Sequence, residues 1–187
     1  SAATPELLVH TGEALVFEQI EDYLIASEDM NLAVTKDTIL VLKHAGPRGF
    51  PGFPEVGNMP IPRKLLEQGI TDMIRISDAR MSGTAYGTVL LHTSPEAAVG
   101  GPLALVKSGD MIELNVPNRS INLLVSEEEM AKRKAAWVAP APKHIRGWSK
   151  LYYETVQQAH LGADLDFLNG SSGSGIPRHS HYKGLAN

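Results

Sequence analysis

Ser82 and Glu55 are the two residues whose type and surroundings best suit chemistry in this sequence. Ser82 lies in the segment MSGT at 81–84, where a predicted strand runs into a loop, so it could act as a nucleophile or as a base. Arg80 and Met81 stand before it and exclude the G-x-S-x-G elbow of serine hydrolases. The alternative is a serine that caps a turn.

Glu55 is an acid inside a loop that is rich in glycine and proline, in the segment PEVG at 54–57. Loops commonly carry functional side chains over a rigid scaffold, so this carboxylate suits metal ligation or acid–base chemistry. The alternative is a carboxylate that is simply solvated.

Two further polar pairs stand out. His179 and His181 are two residues apart, so both would point the same way on an extended segment and could contact a metal or a substrate. A C-terminal tail without a role is the alternative. Asp78 and Arg80 could bind a ligand anion, or could form an ion pair with one another that orders their loop. His92 lies in an apolar run and is predicted to be a core residue.

Two loops must position these side chains. In residues 46–62, which we call the glycine–proline loop, nine of seventeen residues are Gly or Pro, and neither a helix nor a central strand tolerates that composition. Its apolar members indicate an ordered loop that packs on the body of the protein: Phe50, Phe53, Val56 and Met59. Residues 77–87 form a second polar loop, the serine loop.

The rest of the pattern predicts an α+β fold that is mainly β, with short strands and flanking helices. Strands are expected at 13–17, 38–42, 71–76 and 88–91, with a hairpin at 110–116 and 120–125. Helices are expected at 18–28, 126–137 and 147–161. The last of these has a candidate apolar stripe formed by Trp148, Leu151, Tyr152, Val156 and Leu161.

Composition removes several classes of function. The chain has 187 residues and no cysteine, which excludes disulfides, thiol nucleophiles and an iron–sulfur cluster held by its own thiolates. A net charge of −4 does not suggest a nucleic-acid partner. No apolar run approaches the ~20 residues that span a bilayer. The chain opens SAATP without Met, so either its start was processed or it is a piece of a longer protein.

Several long segments, in order, resemble the C-terminal signatures of the IlvD/Edd dehydratase family. They are residues 46–55 (GPRGFPGFPE), 77–84 (SDARMSGT), 94–106 (SPEAAVGGPLALV), 109–118 and 123–128. The family includes dihydroxy-acid dehydratase, phosphogluconate dehydratase and the sugar-acid (pentonate) dehydratases. The resemblance implies a cytoplasmic lyase, or a mitochondrial one in a eukaryote, that converts 2,3-dihydroxy acids to 2-keto-3-deoxy acids.

The resemblance also implies a domain organisation. Residues 1–168 would form the C-terminal β-barrel, or swivelling β-core, with flanking helices, and 169–187 a Ser/Gly-rich tail. An N-terminal domain absent from this chain would carry the cysteines of an iron–sulfur cluster and most Mg²⁺ ligands. That domain of the same enzyme is the expected partner, in a full-length homo-oligomer, with no nucleic acid and no membrane.

Individual roles follow from the resemblance alone. Ser82 matches the catalytic base, Glu55 a Mg²⁺ ligand and Thr84 a polar neighbour of the substrate. His181 best matches a tail histidine that folds back to the active site, although six residues follow it here. The SGT sequence and this tail favour a sugar-acid substrate over the dihydroxy acid of branched-chain amino-acid synthesis. The alternative class is a non-catalytic fragment or binding module, and the isolated chain is expected to be inactive.

Overall fold

A computed structural model describes residues 3–168 of the protein, and it places six strands and four α-helices there. The strands are β1 (Val9–Phe17), β2 (Ile39–Leu42), β3 (Arg75–Ser77), β4 (Val89–Leu90), β5 (Met111–Asn115) and β6 (Ser120–Leu123). The helices are α1 (Ile20–Ser27), α2 (Arg63–Leu66), α3 (Glu127–Ala136) and α4 (Gly147–Thr155). The expected α+β class, mainly β with flanking helices, is confirmed.

The strands form one mixed sheet in the order β4-β3-β2-β1-β5-β6, curled into a half-barrel. β1 through β4 pair in parallel, whereas β5 pairs antiparallel with both β1 and β6. No helix within residues 3–168 is long and apolar enough to cross a membrane.

β2 is the buried centre of the sheet, and its sequence explains why. All four of its residues have 0% exposure. Because successive side chains of a strand point to opposite faces, Ile39 and Val41 enter one apolar cluster while Leu40 and Leu42 enter another. A continuous apolar run is therefore what this position requires, since both faces of the strand are covered.

The two loops follow neighbouring parallel strands. The glycine–proline loop comes after β2, and the serine loop begins where β3 ends. The carboxyl ends of parallel strands lie at one edge of a sheet, so both loops emerge at the same edge. The glycine–proline loop is ordered as expected, because Phe53 and Met59 are buried in it at 8% and 1% exposure.

The last predicted helix is shorter than expected. α4 ends at Thr155, because Val156 takes an extended conformation, is 2% exposed and forms a bridge with Leu165. The predicted stripe is thereby split, with Trp148 70% exposed and Leu161 in a separate 3₁₀ turn. The helix therefore ends where Val156 is buried in an extended conformation. The predicted boundary at 168/169 remains a prediction.

Candidate active site

Asp78, near the start of the serine loop, connects that loop to the residue before the glycine–proline loop and to the segment at Ala97. Its side chain is 0% exposed, and its two oxygens accept hydrogen bonds from the backbone N–H groups of Ala45 and Ala97, each at 2.9 Å. Burial raises the pKa of Asp78 to about 6, against the lowering effect of those two N–H groups, and the nearby charge of Glu96 adds to the rise. The predicted Asp78–Arg80 ion pair is wrong, because Asp78 binds backbone amides instead.

Glu96 is a second buried carboxylate, at 1% exposure, and it shapes the start of the glycine–proline loop. It accepts hydrogen bonds from the N–H groups of Arg48 and Gly49, the latter at 2.7 Å, and from the amide of Gln158 at 2.7 Å. Gly46 passes so close that an added Cβ would lie 2.6 Å from Glu96 Oε2. The loop is thus wrapped around a carboxylate, and its glycines allow that approach.

The two loops are fastened directly to one another. The N–H of Gly57 donates to the carbonyl of Arg80 at 2.7 Å. A Cβ on Gly57 would lie 2.4 Å from a methyl carbon of Leu91, so only glycine fits here without a shift. The side chain of Arg80 then donates to Glu55 Oε1 at 2.5 Å. Arg80 is therefore the partner of Glu55, and the two loops lie side by side.

Three of the four predicted site residues line one cavity of ≈ 580 Å³, which we call the loop cleft. Glu55 comes from the glycine–proline loop, while Ser82 and Thr84 come from the serine loop. The hydroxyls of Ser82 and Thr84 are 3.0 Å apart. The fourth predicted residue, His181, and its neighbour His179 lie outside the described residues.

Ser82 has no general base beside it in the part of the chain that the structure describes. Its hydroxyl contacts only Thr84, through the Thr84 hydroxyl and N–H. A serine activated in the manner of a protease needs a histidine or another base within hydrogen-bond reach. If Ser82 is a base, then a nearby cation must stabilise its oxyanion.

Glu55 could supply one oxygen ligand to a metal. Its Oε1 is held by Arg80, and its Oε2 has no hydrogen-bond partner among residues 3–168, where the side chain is 43% exposed. Within those residues, no cluster of three or more His, Cys, Asp or Glu side chains could hold a metal. Mg²⁺ commonly takes only one or two protein carboxylates, so this donor fits a shared Mg²⁺ site.

Arg75 was missed from the sequence although it lines the same cleft. It is 3% exposed, pairs with Asp72 at 2.9 Å and donates to the carbonyl of Asn58 at 2.7 Å. Burial lowers the pKa of Arg75 from its usual value. The available signal was an arginine inside the apolar run 73–76, because a buried charge in a strand needs partners.

His92 was wrongly predicted to be a core residue. The structure leaves it exposed, with a positive φ of 55° and its ring edge-on to Phe53 at 5.3 Å. Its N–H donates to the carbonyl of Ala79, which turns the chain away from β4. A local turn therefore overrides the apolar context.

The sequence profile of the dihydroxy-acid/6-phosphogluconate dehydratase C-terminal family matches residues 1–163. The chain belongs to this dehydratase family. It is 57% identical over 181 residues to an L-arabinonate dehydratase of Rhizobium leguminosarum bv. trifolii, covering 97% of this chain and 31% of the relative.

Two further relatives show the breadth of the dehydratase family. An L-arabonate dehydratase of Azospirillum brasilense is 49% identical in an alignment 187 positions long, gaps included, that covers 97% of this chain and 32% of that protein. A dihydroxy-acid dehydratase of Carboxydothermus hydrogenoformans is 40% identical over 164 residues, 87% of this chain and 29% of the relative. The chain thus spans about a third of the length of the relatives it matches.

Proposed function

We propose that this chain is the C-terminal part of a hydro-lyase that dehydrates sugar acids to 2-keto-3-deoxy acids. The observation that carries the proposal is the loop cleft, in which Glu55, Ser82 and Thr84 meet at the carboxyl edge of a parallel sheet. Family membership and the names of the 57% and 49% identical relatives support a sugar-acid substrate.

In this proposal Ser82 is the base that takes the proton from C2 of the substrate. The C2–H electron pair forms the C2=C3 bond, and hydroxide leaves from C3 and combines with the proton that Ser82 removed, so that water is lost. The resulting enol then gains a proton at C3 and loses the proton of its C2 hydroxyl to become the 2-keto acid. Thr84 orients Ser82, because its hydroxyl lies 3.0 Å from the serine oxygen. His181 is proposed to contact the substrate.

Glu55 would hold Mg²⁺, while an iron–sulfur cluster would be bound by the rest of the polypeptide. When bound, these groups supply positive charge that stabilises the developing enolate and the serine oxyanion and that assists departure of hydroxide. The arginine contact leaves Oε2 of Glu55 free to act as the ligand atom. The remaining ligands and the cluster cysteines are proposed to come from the N-terminal part of the same enzyme.

The test is a Ser82→Ala change in the full-length enzyme, with pentonates as substrates. We expect kcat to fall by about 100-fold or more, because general bases typically contribute that much. Ser120→Ala, in β6 and away from the loop cleft, is the matched control and should retain the normal rate. A normal rate in the Ser82 variant would refute the base assignment.

A second measurement separates the enzyme from a non-catalytic module. The full-length protein should turn over pentonates and show an iron–sulfur absorption band, whereas the 187-residue chain should show neither. Turnover by the isolated chain would contradict the proposed division of ligands.

A further inference from the structure

Asn58 is a polar side chain in the loop cleft that the proposed chemistry does not use. It lies three residues after Glu55 and lines the same cavity as Ser82 and Thr84. The side chain is half-buried. Its Oδ1 is buried and has no hydrogen-bond partner, and within residues 3–168 its amide makes no hydrogen bond at all.

The backbone at Asn58 is fixed, so the free amide is not the result of a loose loop. Arg75 donates to the carbonyl of Asn58 at 2.7 Å and to that of Met59 at 3.2 Å. Arg75 is itself held by Asp72, and Met59 is 1% exposed. The ion pair of Arg75 with Asp72 therefore fixes the backbone from which the side chain of Asn58 extends.

The buried Oδ1 of Asn58 calls for an explanation, because buried polar atoms in folded proteins nearly always have a hydrogen-bond partner. A hydroxyl group both donates and accepts, so it can satisfy either end of an asparagine amide. Sugar acids carry hydroxyls beyond C3, whereas dihydroxy acids with hydrocarbon side chains do not. The orphaned amide thus matches the part of the substrate that distinguishes these two classes.

We propose that Asn58 is a specificity-determining residue whose amide hydrogen-bonds a substrate hydroxyl beyond C3. This inference rests on the proposed function, since it requires a polyhydroxy acid in the loop cleft. Asn58 takes no part in proton transfer. Sites built to hydrogen-bond a hydroxyl discriminate strongly against analogues that lack it, because their own polar groups are then left unpaired.

The experiment combines two enzymes with three substrates. Full-length wild type and Asn58→Ala are each assayed with a pentonate and with its 4-deoxy and 5-deoxy analogues. We expect kcat/KM of the wild type to fall about 10-fold or more on one deoxy analogue. The variant should show that same loss on the pentonate and no additional loss on that analogue, since each change removes one half of the same hydrogen bond.

Two controls keep the result interpretable. Asn122→Ala removes an asparagine amide on β6 that donates to Glu113. This variant should leave kcat/KM unchanged on all three substrates. Asn58→Ser shortens the side chain but keeps a polar group, and it replaces the alanine variant if thermal unfolding shows that the latter is not folded.

The outcomes separate the two proposals. If the Asn58 variant loses kcat/KM equally on all three substrates, or on none, the specificity role is overturned while the dehydratase proposal stands. If the wild type dehydrates no sugar acid, the proposed function fails and this inference fails with it.

Discussion

Arg80 holds one carboxylate oxygen of Glu55 at 2.5 Å and leaves the other without a partner in the described part of the chain. Both side chains are nearly half exposed, at 46% and 43%. A pair of this kind adds little to stability, because solvent screens the charges. Its effect is geometric, since it leaves only Oε2 of Glu55 without a partner and so available for the Mg²⁺ that we propose.

Replacing Arg80 with Met should therefore weaken Mg²⁺ binding more than it weakens the fold. Partners that orient a metal ligand are typically worth about 10- to 100-fold in metal affinity. We expect the Mg²⁺ concentration for half-maximal activation of the full-length enzyme to rise about 10-fold. The free energy of unfolding should change by less than about 1 kcal/mol. Arg63→Met, which removes an exposed pair with Glu67, is the control. An unchanged Mg²⁺ requirement would contradict the orienting role.

Replacing Gly57 with Ala should separate the two loops. The new methyl would meet Leu91 and the carbonyl of Arg80, at 2.4 and 2.9 Å. Overpacking of this kind costs about 1–3 kcal/mol, which urea unfolding of the protein measures. Gly83→Ala is the control, because no atom lies within 4 Å of an added Cβ there and the backbone of Gly83 does not have a positive φ. If both changes lowered the free energy of unfolding equally, the close approach of Gly57 to Leu91 and Arg80 would be unimportant for stability.

Asp78 should make the protein more stable as the pH falls from 7 towards 4. Its folded pKa is raised to about 6 by burial, so the folded state takes up a proton that the unfolded state, near 3.8, does not. This proton uptake contributes on the order of 2–3 kcal/mol to the free energy of unfolding. The contribution is fully present below pH 3.8 and is lost as the pH rises through about 6.

The measurement for Asp78 is a pair of stability curves. The free energy of unfolding of wild type minus that of Asp78→Asn is taken from pH 4 to pH 7. The difference should decrease as the pH rises, since asparagine does not titrate. A difference that is independent of pH would rule out the raised pKa.

Asp72→Asn should be one of the more damaging single changes. It leaves the buried guanidinium of Arg75 without the negative charge of Asp72, and breaking a buried ion pair costs about 3–5 kcal/mol. The matched control is Asp37→Asn, whose pair with Lys36 is well exposed and should be worth less than about 1 kcal/mol. Comparable urea midpoints for the two variants would refute the prediction.

The sequence predicted the parts of the fold that depend on local pattern. The apolar run at 38–42 indicated the strand that became β2, and the glycine–proline loop was recognised from composition. The resemblance to the dehydratases selected Glu55, Ser82 and Thr84, which the structure brings into one cleft. Their chemical roles remain predictions.

What the sequence did not predict depends on contacts between distant segments. Asp78 was matched with a nearby arginine, whereas its real partners are 33 and 19 residues away. The structural role of Glu96 was not predicted, because nothing in the neighbouring sequence indicates amide donors 48 and 47 residues earlier. A carboxylate that binds backbone N–H groups needs no oppositely charged side chain, so no residue type in the sequence marks its partners.

The two oxygens of Asp78 also link the motions of the segments that they hold. If the segment at Ala45 or at Ala97 detached alone, a buried carboxylate would lose half of its donors, at a free-energy cost that makes separate opening rare. Both segments should therefore open as one cooperative unit. In hydrogen exchange, their two amide protons would be replaced by deuterium at a shared rate, although 52 residues of chain separate them.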